Sequence, residues 1–210
     1  MLIIGAKGFA KEVLEILHQN GETENLCFYD DISEDFLELL YGSFKVLKSE
    51  EEAQEYLKST DNQFTIGIGN PKLREKLFVK FQNLGGKLTS TISRNSEIGS
   101  FGITIGEGSN ILGGVKISND VKIGKGAIIY YNSIITHDVE IGDFAEISPG
   151  ATLLGRSKIG DFTQIGAGAI IFPDIIIGKN TIIGAGSVVR ENVPDNCIAA
   201  GVPSKIIKKK

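Results

Sequence analysis

Large branched aliphatic residues recur at every sixth position over the second half of the chain. Starting at Ile105, fifteen successive positions of this series are Ile, Leu or Val, and the last is Val189. Four residues after each of them stands a small or β-branched residue, from Ser109 to Val193. A period of six matches neither an α-helix nor a lone amphipathic strand, but it is a known β-helix repeat. The pattern therefore predicts a three-sided prism, with the large residues on its axis and the smaller ones near its corners.

Three hexads complete one coil of such a prism, so the series predicts about five coils stacked about 4.8 Å apart. Upstream the register loosens, because seven residues separate Ile98 from Ile105, with Gly102 as the expected extra residue. We expect the prism to begin near residue 90. Glycines placed regularly between the aliphatic positions are expected to permit tight turning; they are Gly106, Gly124, Gly142, Gly160, Gly166, Gly178 and Gly184.

The first part of the chain has a different pattern, in which short apolar strands alternate with amphipathic helices. The segment "MLIIGAKGFAKEVLEILHQN" is typical of a strand, a glycine turn and a helix. The strand "NLCFYDD", a helix around "SEEAQEYLKS", the strand "QFTIGIGN" and a helix opening at Pro71 follow. This alternation indicates a parallel sheet. The fold class predicted is α/β plus all-β, with a small Rossmann-like parallel domain over residues 1–88 and a parallel β-helix over 89–210.

Composition narrows the possible partners. Lys and Arg number 22 against 26 Asp and Glu, which argues against a nucleic-acid-binding protein. The basic end, "SKIIKKK", fits either a solvated tail or a seat for a phosphate. No run of 18 apolar residues occurs, and Cys27 and Cys197 stand far apart without a CxxC motif. We expect a cytoplasmic protein that is neither exported nor membrane-spanning.

Two glycine turns in the first domain follow predicted strands. Gly5 and Gly8 in "GAKGFA" do not complete a GxGxxG fingerprint because Lys7 occupies the middle glycine position, which argues against NAD-dependent redox chemistry. The second turn, "GIGNP", contains Gly69 and Asn70. Each turn offers backbone amides at a helix N-terminus to a phosphate, but tight turning alone would also explain these glycines. Both interpretations stay open.

The paired acids Asp30 and Asp31 in "FYDD" close the second predicted strand. Their carboxylates can hold a ribose or a base, or they can cap the next segment. The residues alone do not decide between these two roles.

His137 is one of only two histidines, and it falls where a hexad turns a corner, so its ring is expected to point outward. Asp138, Glu140 and Asp143 follow closely and can orient the ring as a general base, although an ordinary surface histidine is the plain alternative. A three-histidine zinc site is excluded because the other histidine, His18, lies in the first helix. No nucleophile for covalent catalysis stands out, so direct transfer between two bound substrates is the simpler chemistry.

The hexads together with "AGVPSK" near the end resemble the left-handed β-helix (hexapeptide-repeat) acyltransferases. More narrowly, "IIGAKGFAKEVLEIL", "FYDD", "IGIGNPKLREKL" and "THDVEIGDF" resemble the bacterial sugar O- and N-acetyltransferases of the sialic-acid and bacillosamine type. The resemblance implies left-handed coiling, acetyl-CoA as co-substrate, no metal, and a homotrimer with active sites between neighbouring prisms. It also implies acetylation of the 4-amino group of a nucleotide-linked 4-amino-4,6-dideoxy sugar for bacterial surface glycans, with the nucleotide on the first domain.

The same resemblance assigns roles to individual residues. His137 is implied as the general base and Asp138 as the acid that steadies it. The backbone amide of Gly155 is the candidate donor to the oxyanion, Ala167 and Ala185 are implied to line the pantetheine groove, and Lys205 is implied to approach the phosphates of the coenzyme. These assignments rest on the family pattern.

The chain departs from the family at two positions. Glu146 stands where these enzymes commonly carry a second histidine, and Tyr130 stands where relatives carry an asparagine. Two other functions stay open: O-acetylation of a sialic acid or related sugar, and a non-catalytic trimeric scaffold that binds a nucleotide. The sequence does not distinguish a UDP-linked from a dTDP- or GDP-linked acceptor.

Overall fold

A computed structural model describes residues 1–33 and 38–210. Two compact units divide the chain, residues 1–93 and 94–210, so the division falls slightly later than the predicted boundary at 88/89. The first is a parallel α/β unit and the second is a left-handed parallel β-helix, which confirms the predicted fold class. No helix in the described ranges is long and apolar enough to cross a membrane.

The first unit is built on one sheet of six strands in the order β3-β4-β2-β1-β5-β6. All neighbouring strands are parallel except β3 and β4, which form an antiparallel hairpin. The elements are β1 (Leu2–Ile4), α1 (Gly8–Asn20), β2 (Cys27–Tyr29), β3 (Leu39–Leu40), β4 (Phe44–Leu47), α2 (Glu50–Ser59), β5 (Gln63–Ile66), α3 (Pro71–Asn83), β6 (Lys87–Leu88) and β7 (Thr91–Ile92). The sequence predicted the three helices and β1, β2 and β5, but it did not predict the hairpin or β6, whose strands are short.

Local signals begin and end the helices of this unit. The Ser49 hydroxyl caps α2 by accepting from the backbone N–H of Glu52 at 3.2 Å, and Asn70 caps α3 one residue before Pro71. Helix α1 ends at Gly21, whose φ of 75° lets the chain leave in a left-handed turn. The sheet buries its aliphatic and aromatic residues against these helices on both sides.

The second unit consists of two-residue strands on three flat faces. Face A comprises β10 (Asn110–Ile111), β13 (Ile128–Ile129), β16 (Glu146–Ile147), β19 (Gln164–Ile165) and β22 (Ile182–Ile183). Face B comprises β8 (Glu97–Ile98), β11 (Lys116–Ile117), β14 (Ile134–Ile135), β17 (Thr152–Leu153), β20 (Ile170–Ile171) and β23 (Val188–Val189). Face C comprises β9 (Thr104–Ile105), β12 (Lys122–Ile123), β15 (Glu140–Ile141), β18 (Lys158–Ile159) and β21 (Ile176–Ile177).

The hexad pattern explains the interior of the prism. Residues 18 apart pair in parallel register on each face, as Ile117, Ile135 and Leu153 do on face B. The second residue of each strand is buried in nearly every coil, whereas the first is partly or fully exposed except at Asn110 and Ile128. Small residues at the corners, such as Ser133 and Ala151, are fully buried as predicted. Because similar residues stack on one another in successive coils, the interior along the prism axis is closely packed.

The expectation that the regularly placed glycines permit tight turning was wrong in its mechanism. Gly106, Gly124 and their counterparts do not have a positive φ; a Cβ at Gly106 would lie 2.5 Å from the backbone nitrogen of Lys125 on the next coil. These glycines are required because successive coils approach closely. The left-handed turn positions lie elsewhere, at residues such as Asn132 and Gly150.

The C-terminal segment is also ordered into strands. β24 (Cys197–Gly201) pairs in parallel with β22 and so extends face A, and β25 (Ser204–Lys209) pairs antiparallel with β24. Cys197 is therefore buried in a strand of face A. The basic end, for which a solvated tail was one interpretation, forms the outer strand of a hairpin.

Candidate active site

His137 lies at the corner where the chain passes from β14 on face B to β15 on face C. The turn places Asp138 in the left-handed region, with φ of 59°, and brings its Oδ2 to 2.7 Å from Nδ1 of His137. Both side chains are about half exposed, at 54% and 51%. An ionised carboxylate only accepts hydrogen bonds, so in the neutral ring Nδ1 carries the proton and Nε2 keeps its lone pair. This arrangement, exposed to solvent, suits a general base.

Gly155 lies one coil further along, directly against the ring of His137. A Cβ at this position would lie 2.6 Å from Cε1 and 2.7 Å from Nε2 of the imidazole, so any side chain here would displace the ring. In the part of the chain that the structure describes, no group accepts a hydrogen bond from the backbone N–H of Gly155. The structure therefore brings three predicted site residues together at one corner: His137, Asp138 and Gly155 with its unpaired amide.

An ion pair that the sequence analysis missed lies at the same corner. Arg156 and Asp174 have φ of 62° and 64° and form a bidentate pair, with Nε to Oδ1 at 2.6 Å and Nη2 to Oδ2 at 2.8 Å. The hydrogen bond to Asp174 and the nearby charge of Asp138 hold the pKa of Arg156 above its usual value, and the same bond to Arg156 holds the pKa of Asp174 below its usual value. The 18-residue repeat itself places residues 138, 156 and 174 on one corner and could have revealed this column.

Ala167 and Ala185 lie at the corner between face A and face B, across face B from His137. Both are exposed, and within the described ranges neither backbone N–H has a hydrogen-bond acceptor. Their neighbours Gly168 and Gly186 lie in open space, because a Cβ there would meet nothing within 4 Å. These small residues and the two unpaired backbone amides suit a pantetheine chain that binds through main-chain contacts. The residues present therefore suit coenzyme A as co-substrate.

Lys205 is exposed in β25, with its Nζ 4.0 Å from a carboxylate oxygen of Glu191. The Lys205 side chain is 71% exposed, so its ammonium group is accessible to a phosphate. The contact with Glu191 is long and exposed and holds it only weakly.

Glu146 and Tyr130 do not approach His137 within one chain. Glu146 lies in β16 on face A and accepts a hydrogen bond from Nε2 of Gln164 at 3.1 Å. Tyr130 follows β13 on the same face, where its backbone N–H bonds to Ile147. Face A is the side of the triangular prism opposite the corner that carries His137. A site that used both His137 and Glu146 would need two copies of the chain.

A cavity of about 420 Å³ opens in the first unit at the carboxyl ends of β1, β2 and β5. Its lining includes the predicted residues Gly5, Gly8, Asp30, Asp31 and Gly69. Gly5 has φ of 99°, and a Cβ there would lie 2.7 Å from Ile68, so the first turn requires glycine. Lys7, the N-cap residue of α1, makes no side-chain capping hydrogen bond, so this end of the helix suits a phosphate. Asn70 lies outside the lining and caps α3.

The two acids of the cavity are held in different ways. Asp30 is buried, and its carboxylate accepts from the backbone N–H groups of Ile32 and Ser33 and from the Ser33 hydroxyl, as the capping interpretation requires. Asp31 accepts from the Tyr29 hydroxyl at 2.8 Å and remains 40% exposed toward the cavity. Asp31 is therefore the acid with a carboxylate edge left for a ligand.

Lys80 on α3 lies outside the cavity lining but contacts two residues of it, Tyr29 and Asp31. Its Nζ lies 2.8 Å from Glu50, 3.2 Å from the Tyr29 hydroxyl and 3.6 Å from Asp31. Although burial works against its charge, hydrogen bonds to Glu50 and Tyr29 hold the pKa of Lys80 above its usual value. Burial, followed by the hydrogen bond to Asp31, raises the pKa of Tyr29 to about 12. Tyr29 therefore stays a hydrogen-bond donor at neutral pH.

Arg74 is a further residue that sequence reasoning missed. It is 1% exposed on α3, and its Nη1 donates to the backbone carbonyl of Gly69. A buried guanidinium is costly unless its donors are used. Here it fixes the second glycine turn, which forms one wall of the cavity. In the sequence "NPKLREKL", Arg74 stands among charged residues as an exposed helix residue would, so the pattern did not indicate that it is buried.

Comparison with known proteins defines the class to which this fold and this site belong. Residues 1–81 match the PglD N-terminal domain, and residues 120–155 and 156–191 match the bacterial transferase hexapeptide (six repeats). A search of curated proteins finds no match. The chain is therefore a hexapeptide-repeat transferase with a PglD-type first domain.

Solved structures define the family more closely. A point mutant of the perosamine N-acetyltransferase from Caulobacter crescentus, in complex with CoA and GDP-perosamine, is 32% identical with a TM-score of 0.91, over 99% of this chain and 96% of that one. WeeI from Acinetobacter baumannii AYE is 33% identical over 98% of both chains, with a TM-score of 0.88. The acetyltransferase domain of PglB from Neisseria gonorrhoeae FA1090, in complex with acetyl coenzyme A, is 28% identical over 98% of both chains, also with a TM-score of 0.88. The chain belongs to this family of acetyl-CoA-dependent sugar N-acetyltransferases.

Proposed function

We propose that the protein transfers acetyl from acetyl-CoA to the 4-amino group of a nucleotide-linked 4-amino-4,6-dideoxy sugar, with His137 as general base. The observation that carries this proposal is the hydrogen bond between His137 and Asp138, which leaves Nε2 free beside the unpaired amide of Gly155. The similar Caulobacter enzyme, crystallised with CoA and GDP-perosamine, supports a nucleotide-linked amino sugar as the acceptor class. Synthesis of a bacterial surface glycan is the corresponding physiological role.

The reaction requires one proton to move and one bond to be exchanged. Nε2 of His137 removes a proton from the sugar amine as its nitrogen attacks the thioester carbon, and the new C–N bond forms. Asp138 stabilises the imidazolium that results. The tetrahedral intermediate then collapses, the C–S bond breaks, and the proton passes from His137 to the leaving thiolate of CoA. The products are the N-acetylated sugar and CoA-SH.

Backbone amides and the side chain of one lysine supply the remaining contacts in this proposal. The free N–H of Gly155 donates to the oxyanion or to the thioester carbonyl, since it lies beside the ring of the base. Ala167 and Ala185 offer their unpaired amides to the pantetheine chain, and Lys205 offers its ammonium to the coenzyme phosphates. We place the nucleotide of the acceptor in the cavity of the first unit, with its diphosphate at the turn of Gly5 and Gly8.

We further propose that the protein acts as a homotrimer with sites between prisms. Face B carries apolar side chains outward, including Ile134 and Phe172, which are 40% and 37% exposed. Apolar flat surfaces of this kind are typical of subunit interfaces. A neighbouring prism packed there could also bring its own Glu146 toward His137, which one chain cannot do. A cytoplasmic location remains a prediction, supported by two free buried thiols.

The decisive experiment follows thiol release from acetyl-CoA with GDP-, UDP- and dTDP-linked 4-amino-4,6-dideoxy sugars, a free amino sugar and sialic acid. We expect turnover with an amino sugar nucleotide, and a fall in kcat of about 100-fold or more in His137→Ala. The matched control is His18→Ala, which removes the other histidine, exposed on α1, and is expected to leave kcat unchanged.

Each other outcome selects one alternative. Turnover with sialic acid alone would replace N-acetylation by O-acetylation. No turnover with any acceptor, together with tight nucleotide binding, would favour the scaffold. Equal activity of His137→Ala and the natural protein would remove His137 from the mechanism.

A further inference from the structure

Four charged residues lie at one corner of the prism on successive coils, namely Asp120, Asp138, Arg156 and Asp174. Asp138, Arg156 and Asp174 have nearly the same backbone conformation, with φ of 59°, 62° and 64°. Backbone hydrogen bonds keep the coils in register, from the N–H of Arg156 to the carbonyl of His137 at 3.1 Å and from the N–H of Asp174 to that of Gly155 at 3.0 Å. Successive coils are about 4.8 Å apart. The guanidinium of Arg156 is thus flanked by two carboxylates, one of which holds the proposed base.

The two acids have different partners. Asp174 binds Arg156 through both carboxylate oxygens, at 2.6 and 2.8 Å, whereas Oδ2 of Asp138 accepts from Nδ1 of His137 at 2.7 Å. A bidentate guanidinium pair occupies both oxygens of a carboxylate. If Arg156 turned to Asp138 instead, it would compete directly with His137 for the Oδ2 atom.

We propose that Asp174 is a positioning residue for the catalytic pair. By holding Arg156 in the bidentate pair, it keeps the guanidinium away from Asp138 and leaves that carboxylate free to orient His137. This inference rests on the proposed roles of His137 and Asp138. Asp174 exerts its effect through Arg156 and does not act on the reacting atoms.

The variant Asp174→Asn tests this competition because asparagine tolerates the left-handed conformation while the carboxylate is lost. Arg156 is then left with Asp138 as the nearest carboxylate of the column. A base that is misplaced by an ångström or less loses a large part of its efficiency, so we expect kcat to fall about tenfold or more with KM little changed. Arg156→Asn alone removes the competitor, and kcat is expected to stay within about threefold of the natural protein. The double variant is expected to recover to that same level, a non-additive result.

A spectroscopic measurement reports the orientation of the base directly. The chain has two histidines, so nitrogen-15 NMR of histidine-labelled protein gives two sets of imidazole signals, and His18→Gln assigns them. The natural protein is expected to show the neutral His137 ring protonated on Nδ1. In Asp174→Asn the signal is expected to move toward the form protonated on Nε2, and in the double variant it is expected to return.

The outcomes separate this inference from the proposed function. Full activity of His137→Ala would overturn both. If His137→Ala is inactive but Asp174→Asn matches the natural protein in kcat and tautomer, the inference alone is overturned. It is also overturned if the double variant stays as slow as Asp174→Asn.

A matched control removes an exposed ion pair from another corner. Glu107→Gln breaks the pair with Lys125, at 3.1 Å, on the corner between face C and face A. It is expected to leave kcat unchanged. A loss as large as that of Asp174→Asn would assign the effect to the prism in general and overturn the proposal.

Discussion

Gly155→Ala is the most direct test of the geometry around His137, the proposed base. The added methyl group would lie 2.6 Å from Cε1 and 2.7 Å from Nε2 of His137, and its three nearest neighbours are all atoms of that ring. An ordinary contact needs at least 3.4 Å, so the imidazole must move by about 0.8 Å. Displacements near 1 Å can cost about 100-fold in rate. We therefore expect kcat to fall between about 10- and 100-fold, which corresponds to about 1.4 to 2.8 kcal/mol of activation free energy.

The stability of the protein should change little in this variant. Gly155 does not have a positive φ, so alanine fits its backbone conformation, and the half-exposed ring of His137 can move toward solvent. The assay combines steady-state thiol release with thermal unfolding. We expect a large fall in kcat with a Tm close to that of the natural protein.

Gly160→Ala is the contrasting control within the same prism. There the Cβ would lie 2.6 Å from the backbone nitrogen of Lys179, and backbone cannot move aside as a side chain can. We expect a lower Tm and nearly unchanged kcat in the fraction that stays folded. If Gly155→Ala instead lowers Tm and leaves kcat intact, the ring of His137 is not the group that matters, and the reasoning is refuted.

Three further predictions concern the first unit. Arg74→Met leaves the carbonyl of Gly69 without its buried donor, so we expect the free energy of unfolding, measured with urea, to fall by about 2 to 4 kcal/mol. An unchanged value would show that Arg74 is dispensable for stability. Asp30→Ala removes three hydrogen bonds to its own loop, so we expect the free energy of unfolding to fall by about 1 to 2 kcal/mol and KM for the nucleotide sugar to rise. If Asp30 only contacted the ligand, KM alone would change. Burial raises the pKa of the Cys27 thiol to about 11, so at pH 8 it should resist Ellman's reagent until urea unfolds the protein, and rapid reaction of the folded protein would contradict this placement.

Much of the second unit could be predicted from the sequence because its contacts follow a short repeat. Each hexad pairs with the hexad 18 residues away, so the positions of Ile135 and Leu153 in the core follow from counting along the chain. The same counting places His137 at an outward corner. The role of the regularly placed glycines was mispredicted, because close approach between coils depends on backbone positions that the pattern does not describe.

The two-part fold, the family resemblance and the candidate base could be predicted from the sequence, since each depends on local periodicity or on contiguous motifs. The three-dimensional fold was needed to show that Gly155 lies against the ring of His137, that Arg156 pairs with Asp174 beside Asp138, and that Glu146 lies on the opposite face. It also showed that Asp30 holds its own loop while Asp31 faces the cavity. These are distances between side chains on different coils or strands, and side-chain conformation at such contacts is set by the packing of neighbours that a linear pattern does not contain.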